Sequence, residues 1–485
     1  AAPATHRRGP LRPARLVSVR KREHRRLASH AFRLVDTALL IAVSTALLLR
    51  DLDQPVLMTP LIELIPAIVG VWLMWLMLSG LRLYRFGCAE RLSVHLLGVW
   101  LSTLSGGGVA FLLRRLGVGE STTESIVVLF VTCGVLASLL HLAWWGLVRR
   151  WRKGGLLTPN IVVVGATTHA EELVGTALER RDLNIVGIFE DRRDRSPAHI
   201  LDVPVLGSVD DLLRHRTLPY VDLIVVALDH TAVARVNEVN ERLAVLPNTV
   251  TLMFDHGGTG RRAAAIDRIA DSPLAPLHPV TDDGRRAFAK RVQDLAIGIT
   301  ALVLLAPVMA LIALLIRLDS PGPIFFKQRR EGFNNEEILV WKFRTMRHDA
   351  ADARAERQVT ANDDRVTRIG RRLRMTSLDE LPQLFNVVRG EMSLVGPRPH
   401  AIGMKTGEIE SARLVARYAH RHRIKPGMTG WAAVNGSRGP LHEARDVIRR
   451  VELDIEYIER QSGWFDLQIM ARTIPSMIGD RKAVR

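Results

Sequence analysis

Cysteine is scarce in this chain of 485 residues, and Cys88 and Cys133 are the only two. That excludes a disulfide framework and a zinc site built from cysteines. Acidic residues are outnumbered, 50 Asp+Glu against 67 Lys+Arg, which leaves a formal net charge of +17. A surplus of that size has two usual partners, nucleic acid and an anionic membrane face. Apolar residues are not short: they make up 47% of the chain, and mean hydropathy is +0.10 in spite of 24% charged residues. The apolar residues are therefore segregated, and disorder is excluded for most of the chain. Length suggests about three domains of roughly 150 residues each.

Up to Arg33 there is a single acid, Glu23, among Arg7, Arg8, Arg12, Arg15, Arg20, Lys21, Arg22, Arg25 and Arg26. The segment is too long and too basic for the n-region of a signal peptide, and no small-residue cleavage site follows soon. A solvated tail beside an anionic leaflet is favoured over nucleic-acid binding. Four runs with few charges follow, at about 34–49, 61–79, 92–113 and 125–148. Each is near the roughly 20 residues that span a bilayer core. Glu63 and His95 sit close to run ends, and His141 lies near the exit of the fourth. Trp72, Trp75, Trp100, Trp144 and Trp145 suit interface belts or helix packing. Four such runs in succession favour transmembrane helices over a buried soluble bundle. The basic tail, the loop with Arg82, Arg85 and Arg91, and the exit with Arg149, Arg150, Arg152 and Lys153 fall on one side, which should be cytoplasmic. Arg114 and Arg115 fall on the other side and count against this.

Residues 160–280 change character. Asn160 to Gly165 is a buried strand ending at a glycine turn, and a helical stretch with Glu171, Glu172, Leu173 and Leu178 follows. Further strands are expected over Asn184 to Phe189, Val221 to Leu228 and Val250 to Phe254, an alternation that predicts a Rossmann-like parallel sheet. The dinucleotide fingerprint lacks its second and third glycines, because Gly165 is followed by Ala166-Thr167-Thr168-His169-Ala170. Glu190 or Asp191 stands where a ribose-binding acid belongs. One glycine and one acid favour a structural or regulatory domain.

Charge is absent again from Leu295 to Ile316, a run interrupted by Pro307 and flanked by Lys290, Arg291 and Asp294 before it and Arg317 and Asp319 after it. It reads as a fifth crossing or as a helix that enters one leaflet and bends at Pro307, where proline removes a backbone hydrogen bond. Entry without crossing requires a partner for the freed carbonyl, and Thr300 is nearby.

The segment 320–400 holds the densest set of special residues. Ser320-Pro321-Gly322-Pro323 is a turn. Ile324 to Arg330 is a strand with a basic end, and Leu339 to Arg347 alternates apolar and basic residues, as a strand or short helix does against a phosphate-bearing surface. Asp379 and Glu380 are adjacent carboxylates that do not both stay charged in an apolar setting without cations. Arg371, Arg372 and Arg374 supply cations, and a divalent metal would complete the neutralisation. Hard oxygen ligands beside basic side chains suit Mg²⁺ bridging to phosphate oxygens. On a helix the two carboxylates point about 100° apart, so one faces a substrate while the other orients it or the metal. An ordinary helix start, capped by Ser377 with both acids on the helix dipole, accounts for the same residues, and composition alone favours it. The arginine cluster on the same basis is a solvated or lipid-facing surface.

Four segments, in this order, resemble motifs of the bacterial sugar transferases, the monotopic polyprenyl-phosphate phosphoglycosyl transferases. They are Lys290-Arg291-Val292-Gln293-Asp294, Lys342-Phe343-Arg344-Thr345-Met346, Thr376-Ser377-Leu378-Asp379-Glu380-Leu381-Pro382-Gln383 and Gly396-Pro397-Arg398-Pro399. The resemblance covers about 285–485 and extends loosely over the rest, which looks like the family's large form. It implies a multidomain membrane α/β protein. A basic cytoplasmic tail over 1–33 leads into a four-helix transmembrane bundle over 34–150. A Rossmann-like parallel α/β domain over 151–280 and a monotopic α+β catalytic domain over 281–485 follow, the last with a re-entrant helix at about 291–317 that breaks at Pro307.

The resemblance further implies transfer of a hexose-1-phosphate from a UDP-sugar to undecaprenyl phosphate, with release of UMP, as the first membrane step of exopolysaccharide, capsule or O-antigen synthesis. By the family's motif Asp379 is the nucleophile that forms an aspartyl phosphosugar, and Glu380 is its dyad partner. Mg²⁺ neutralises the diphosphate, with Asp379 and Glu380 as its ligands. Lys342, Arg344 and Arg374 are phosphate contacts and Arg398 is a nucleotide-side contact. Lys290 and Arg291 hold the lipid phosphate, and Asp294 orients Arg291. If 295–316 crossed, the residues after it would lie outside, away from a UDP-sugar. Re-entry is therefore expected, with the catalytic domain on the cytoplasmic face of the bacterial inner membrane. The large form suggests a homodimer, glucose is slightly ahead of galactose as the hexose, and nucleic acid is not expected as a partner.

Past residue 400 the sequence says less. Ile424-Lys425-Pro426-Gly427-Met428-Thr429-Gly430-Trp431 resembles another family motif, whose glycines either allow close backbone approach to substrate or only form turns. Asp446 to Glu459 reads as a solvated charged helix, and His420 and His422 as surface residues. Leu381, Leu384, Phe385 and Val388 have helical spacing that suits core packing. A membrane scaffold with a nucleotide-sensing domain and a tethered nucleic-acid binder remain as rival functions.

Overall fold

A computed structural model describes residues 18–20, 28–51, 60–84, 86, 90–119, 122–154, 156–180, 183–192, 197–228, 233–253, 275–276, 284–348, 363–400, 405–406, 409–410, 415, 418–437 and 443–479. Most of the basic tail, together with Arg85 and Cys88, lies outside the described residues. The chain divides into two compact units, residues 21–158, and residues 1–20 with 159–485.

In the first unit the apolar runs become α1 (Ala28–Asp51), α2 (Leu61–Gly80), α3 (Leu92–Arg115) and α4 (Thr123–Lys153), each long and apolar enough to cross a membrane. Thr122 caps α4 by accepting the Ser125 N–H at 3.1 Å. The helices approach closely where residues are small. A Cβ on Gly106 would lie 2.4 Å from the Gly70 carbonyl oxygen. Such contacts hold apolar helices together where lipid provides no hydrophobic drive. The inner face carries a polar chain. His95 Nε2 lies 2.9 Å from His141 Nδ1, His141 Nε2 is 3.0 Å from Asp36 Oδ2, and Trp144 Nε1 donates to Asp36 Oδ1 at 3.1 Å. Asp36, His95 and His141 are all buried, and sequence inspection does not single out Asp36. Trp144 and Trp75, the latter donating to Thr37, thus serve packing, whereas Trp72 is exposed.

The second unit begins with a seven-stranded sheet. Its strands are β1 (Asn160–Val164), β2 (Asn184–Phe189), β3 (His199–Ile200), β4 (Val203–Gly207), β5 (Leu223–Val226), β6 (Thr249–Leu252) and β7 (Ala275–Pro276), in the order β3-β4-β2-β1-β5-β6-β7. The five central strands are parallel, but β3 and β7 pair antiparallel at the edges, so the sheet is mixed where a parallel one is expected. The cause at β3 is local: Leu201 and Asp202, both at positive φ, turn the chain straight back as a tight hairpin. Alternate residues of β1 feed two cores. Val162 and Val164 pack with α6 (Val209–Leu213) and α7 (Val233–Leu243), and Ile161 and Val163 with α5 (Thr168–Arg180).

α8 (Gly284–Asp319) is one continuous helix with Pro307 inside it. One face packs on the domain that follows, through Ile297, Ala301, Leu302 and Leu305 and then Met309, Ile312 and Ile316. The opposite face exposes Val303, Leu304, Leu311 and Leu314. Both ends are tied to that same domain. Asp294 accepts from Ser393 Oγ and Leu394 N at 2.9 and 3.0 Å, and Arg344 donates to the Ile316 and Ser320 carbonyls at 3.3 and 2.6 Å. Thr300 donates to the Ala296 carbonyl one turn back, so its hydroxyl does not serve the carbonyl that Pro307 frees.

After α8 come the antiparallel hairpin β8 (Phe325–Glu331) and β9 (Glu337–Phe343), then α9 (Arg368–Thr376) and α10 (Gln383–Arg389). β10 (Ser393–Val395) pairs in parallel with β11 (Gly427–Thr429), and α11 (Ala444–Arg460) and α12 (Gly463–Gly479) complete the domain. The hairpin turn carries Asn334 at φ 54°. Its side-chain amide donates to the carbonyls of Leu218, Pro219 and Val221, and so joins the β8–β9 hairpin to the sheet domain. Arg20 pairs with Glu336 at 3.2 Å, so this end of the basic tail meets protein carboxylate.

Candidate active site

Thr367 caps α9 by accepting the Gly370 N–H at 3.0 Å, and α9 ends at Ser377, which adopts φ 56°. The left-handed residue redirects the chain into a single 3₁₀ turn, Leu378–Glu380, whose two acids are presented sideways. Ser377 makes no capping bond with its side chain, so the ordinary helix start is not what this segment forms.

Glu380 is the anchored carboxylate. Lys342 Nζ, from β9, donates to Oε1 at 2.8 Å, while Arg398 Nη2 and Nη1 reach Oε1 at 2.5 Å and Oε2 at 3.2 Å. Arg398 comes from the Gly396–Pro399 loop, which is pinned by Gly396 N donating to Thr429 O and Gly427 N to Pro397 O, both at 2.9 Å. A Cβ on Gly427 would lie 2.1 Å from the Gly396 nitrogen, so the glycines of the 424–431 segment serve close approach of backbone to backbone. Burial by itself would raise Glu380, but the charges of Arg398 and Lys342 outweigh it and hold the carboxyl well below its usual range. Asp379 goes the other way. Burial, with the Glu380 charge beside it, pushes it up to about 6 against the pull of Lys342, Arg374 and Arg398. One acid is held as a fixed charge and the other is left a stronger base and nucleophile than an ordinary aspartate.

Behind Arg398 stands a buried polar layer that sequence inspection misses. Arg421 donates to the Arg398 carbonyl at 2.8 Å and pairs with Asp454 at 2.8 Å. His400 Nδ1 lies 2.5 Å from the Tyr418 hydroxyl, and burial with the Arg421 charge holds the imidazole neutral, well below its usual value. α11 is therefore not simply a solvated helix: Val447, Arg450, Val451, Asp454 and Tyr457 form its buried face. An i, i+4 Arg–Asp pair within an apolar stripe is the signal that gives this away. His422 is likewise buried, 3.2 Å from the Gly332 carbonyl, and is not a surface residue.

Not every expected contact gathers here. Lys342, Arg374 and Arg398 surround the two acids. Arg344 is buried, with its donors on the carbonyls of Ile316, Ser320 and Pro321, and closes the end of α8. Arg291 donates to the Val387 and Val388 carbonyls at the end of α10, and Lys290 pairs with Asp466 at 2.6 Å. Asp294 accepts from Ser393 and Leu394 at β10. For a metal, the described residues contain no cluster of three or more His, Cys, Asp or Glu. Glu380 has both oxygens in ion pairs and does not fit as a ligand. Asp379 fits as one hard oxygen ligand, which matches the way Mg²⁺ is held mainly by substrate phosphates and water.

Two family models match the chain, "Bacterial sugar transferase" over residues 285–480 and "CoA-binding domain" over 78–253. Among named relatives, an undecaprenyl-phosphate glucose phosphotransferase of Komagataeibacter xylinus is 36% identical over 380 residues, 76% of this chain and 66% of that protein. A UDP-glucose:undecaprenyl-phosphate glucose-1-phosphate transferase of Xanthomonas campestris pv. campestris is 35% identical over 76% of each chain. The chain belongs to the bacterial sugar transferase family. A further relative, from Aeromonas hydrophila, is named a UDP-N-acetylgalactosamine-undecaprenyl-phosphate N-acetylgalactosaminephosphotransferase, and is 31% identical over 83% of this chain and 84% of its own length. The family thus includes more than one sugar. In the sheet domain of the transferase, the turn after β1 is closed by its own chain. Gly165 turns at φ 107°, and Glu190 accepts the Ala166 N–H at 2.9 Å and the Arg192 N–H at 3.1 Å. A carboxylate therefore occupies the donor that a dinucleotide phosphate takes in a Rossmann crevice.

Proposed function

We propose that the transferase moves a hexose-1-phosphate from a UDP-sugar to undecaprenyl phosphate and releases UMP. The observation that carries this is the asymmetry of the acid pair, with Glu380 fixed between Lys342 and Arg398 and Asp379 raised to about 6. At neutral pH Asp379 is mostly ionised yet more basic than a surface aspartate, as a nucleophile should be. Its oxygen attacks the phosphorus next to the sugar. The bond from that phosphorus to the bridging oxygen breaks, and the electron pair leaves with UMP. An oxygen of undecaprenyl phosphate then attacks the aspartyl phosphosugar and returns the carboxylate. Lys342, Arg374 and Arg398 lie where phosphate charge must be met. Mg²⁺, held by Asp379 and the substrate diphosphate, would neutralise part of that charge.

The membrane reading belongs to the same proposal: four crossings over 34–150, a sheet domain over 151–280 and a catalytic domain over 281–485 on the cytoplasmic face of the inner membrane. α8 enters and leaves on one side. This is supported by its full-length packing on one domain and by anchors to that domain at both ends. A cysteine placed after residue 320 should be labelled from the cytoplasmic side alone, and labelling from outside would overturn re-entry. Glucose is the preferred hexose, from the names of the relatives, and the working form is a homodimer, to be measured by light scattering in detergent. Purified protein should turn UDP-glucose over to UMP continuously only with undecaprenyl phosphate and Mg²⁺ present, and without the lipid phosphate should release at most about one UMP per active site. Full turnover by Asp379→Asn would sink the covalent mechanism.

A further inference from the structure

We propose that Arg330 is a second phosphate-binding fork, one that holds the phosphate departing with the nucleoside while Lys342 and Arg374 face the phosphate that Asp379 attacks. This rests on the transferase reading above and assigns a role that the motifs do not.

The hairpin register places the residue. Arg330 pairs with Ile338 and Lys342 with Phe326, so the two cations stand on one face of the same hairpin. Four residues separate Ile338 from Lys342, about 13 Å along the strand. Glu380 and Arg398 bridge part of that span. Arg330 itself donates from Nε and Nη2 to Gln328 Oε1, a neutral acceptor, at 3.2 and 2.5 Å. Its charged neighbours are Arg398, which repels it, and Glu380, which is already bonded to Arg398 and Lys342. A half-buried guanidinium beside a second one is costly unless an anion completes the group. Around the acids, Lys342, Arg330, Arg374 and Arg398 oppose Asp379 and Glu380, four cations against two carboxylates. The surplus matches the two negative charges of a nucleotide-sugar diphosphate.

Order along the site separates the two phosphates. Lys342 donates directly to Glu380, next to Asp379, whereas the register sets Arg330 about 13 Å from Lys342 along the same face of the hairpin. Arg330 is thus displaced along the hairpin from the cation that meets the acids. As the Asp379–phosphorus bond forms, the phosphorus–oxygen bond to the nucleotide breaks. The electron pair settles on that oxygen, and the departing phosphate gains one negative charge. A planar fork at that position stabilises the gain without moving a proton.

The test uses full-length protein in detergent, with UMP and uridine as probes in equilibrium binding and with a thermal melt of each variant. Wild type should prefer UMP over uridine by about tenfold or more, and Arg330→Gln should reduce that preference to about threefold or less, with uridine affinity unchanged. Arg330→Lys, which keeps the charge and loses the fork, should fall between. A UMP-to-uridine ratio unchanged in Arg330→Gln overturns the assignment, as does an equal loss for both probes with a normal melt. If Arg330→Gln melts abnormally, the Arg330→Lys ratio decides, and no change there is equally fatal. Wild type that binds UMP but transfers no sugar phosphate from any UDP-sugar refutes the transferase reading instead.

Discussion

Replacing Asp379, the proposed nucleophile, should make the protein more stable while abolishing its activity. The Asp379 carboxyl is raised from 3.8 to about 6 in the folded chain, mainly by burial and also by the Glu380 charge. The native state therefore holds that proton more tightly than the unfolded chain does. For an acid raised in this way, stability is fully present below about 3.8, is lost as pH rises to about 6, and stays lost above it. Two pKa units correspond to about 3 kcal/mol. Asp379 is partly open to solvent, and screening brings the expected penalty at neutral pH to about 1–2 kcal/mol. Asp379→Asn removes the charge and keeps the shape. Its melting temperature should exceed that of wild type by about 2–6 °C near neutral pH, on the scale for a domain of this size. The assay is a thermal melt in one detergent at two pH values, one well above 6 and one near 4. The advantage should be present at the first and shrink at the second. A variant no more stable than wild type at neutral pH, or one with a pH-independent advantage, would refute the account of Asp379 as a strained, desolvated base.

Other perturbations probe the surroundings. The rate of UMP release should fall on acidification with an inflection near 6, read as kcat/KM for the UDP-sugar, since Asp379 reacts only when ionised; a flat profile down to about pH 5 contradicts this. Arg421→Met removes the direct ion-pair partner of buried Asp454, leaves it only Arg450, and should cost about 3 kcal/mol, whereas Arg421→Met with Asp454→Leu should recover part of it in chemical denaturation. Gly427→Ala drives a methyl against the Gly396 nitrogen and should displace the loop that carries Arg398, with loss of transfer at near-normal expression. Wild-type activity in that variant would show that the loop tolerates the shift.

What could be read in advance follows from how local the signal is. The apolar runs and the strand Asn160–Val164 announce themselves because helix and strand periods are properties of neighbouring residues. On composition Asp379 and Glu380 pass for an ordinary helix start, and it is the resemblance to a family motif that singles them out, while Lys342 and Arg398 reach Glu380 from elements far along the chain. The arginines are where local inspection fails. A guanidinium beside an apolar helix looks equally suited to a lipid phosphate or to a carbonyl, and only tertiary contact sends Arg291 to the end of α10 and Arg344 to the end of α8. Asp454 and Arg450 carry a fainter signal, their i, i+4 spacing in an apolar stripe, and otherwise read as charges in a charged helix until Arg421 and that stripe bury them. The edge strands of the sheet are two residues each, too short for any period to register.

The carboxylate of Glu190 in the turn after β1 has a thermodynamic consequence for the sheet domain. A fold whose phosphate cradle awaits a diffusible ligand gains stability with the logarithm of that ligand's concentration, and so reports on metabolism whether or not it was selected to. Here the anion is tethered, its effective concentration is set by chain geometry, and that quantity does not vary with the state of the cell. The donor in the closed turn is therefore satisfied without a diffusible anion. Asn334 fastens the β8–β9 hairpin to the 218–221 turn of that same domain, so the hairpin that carries Lys342 is tied to a fold that meets this donor with its own carboxylate.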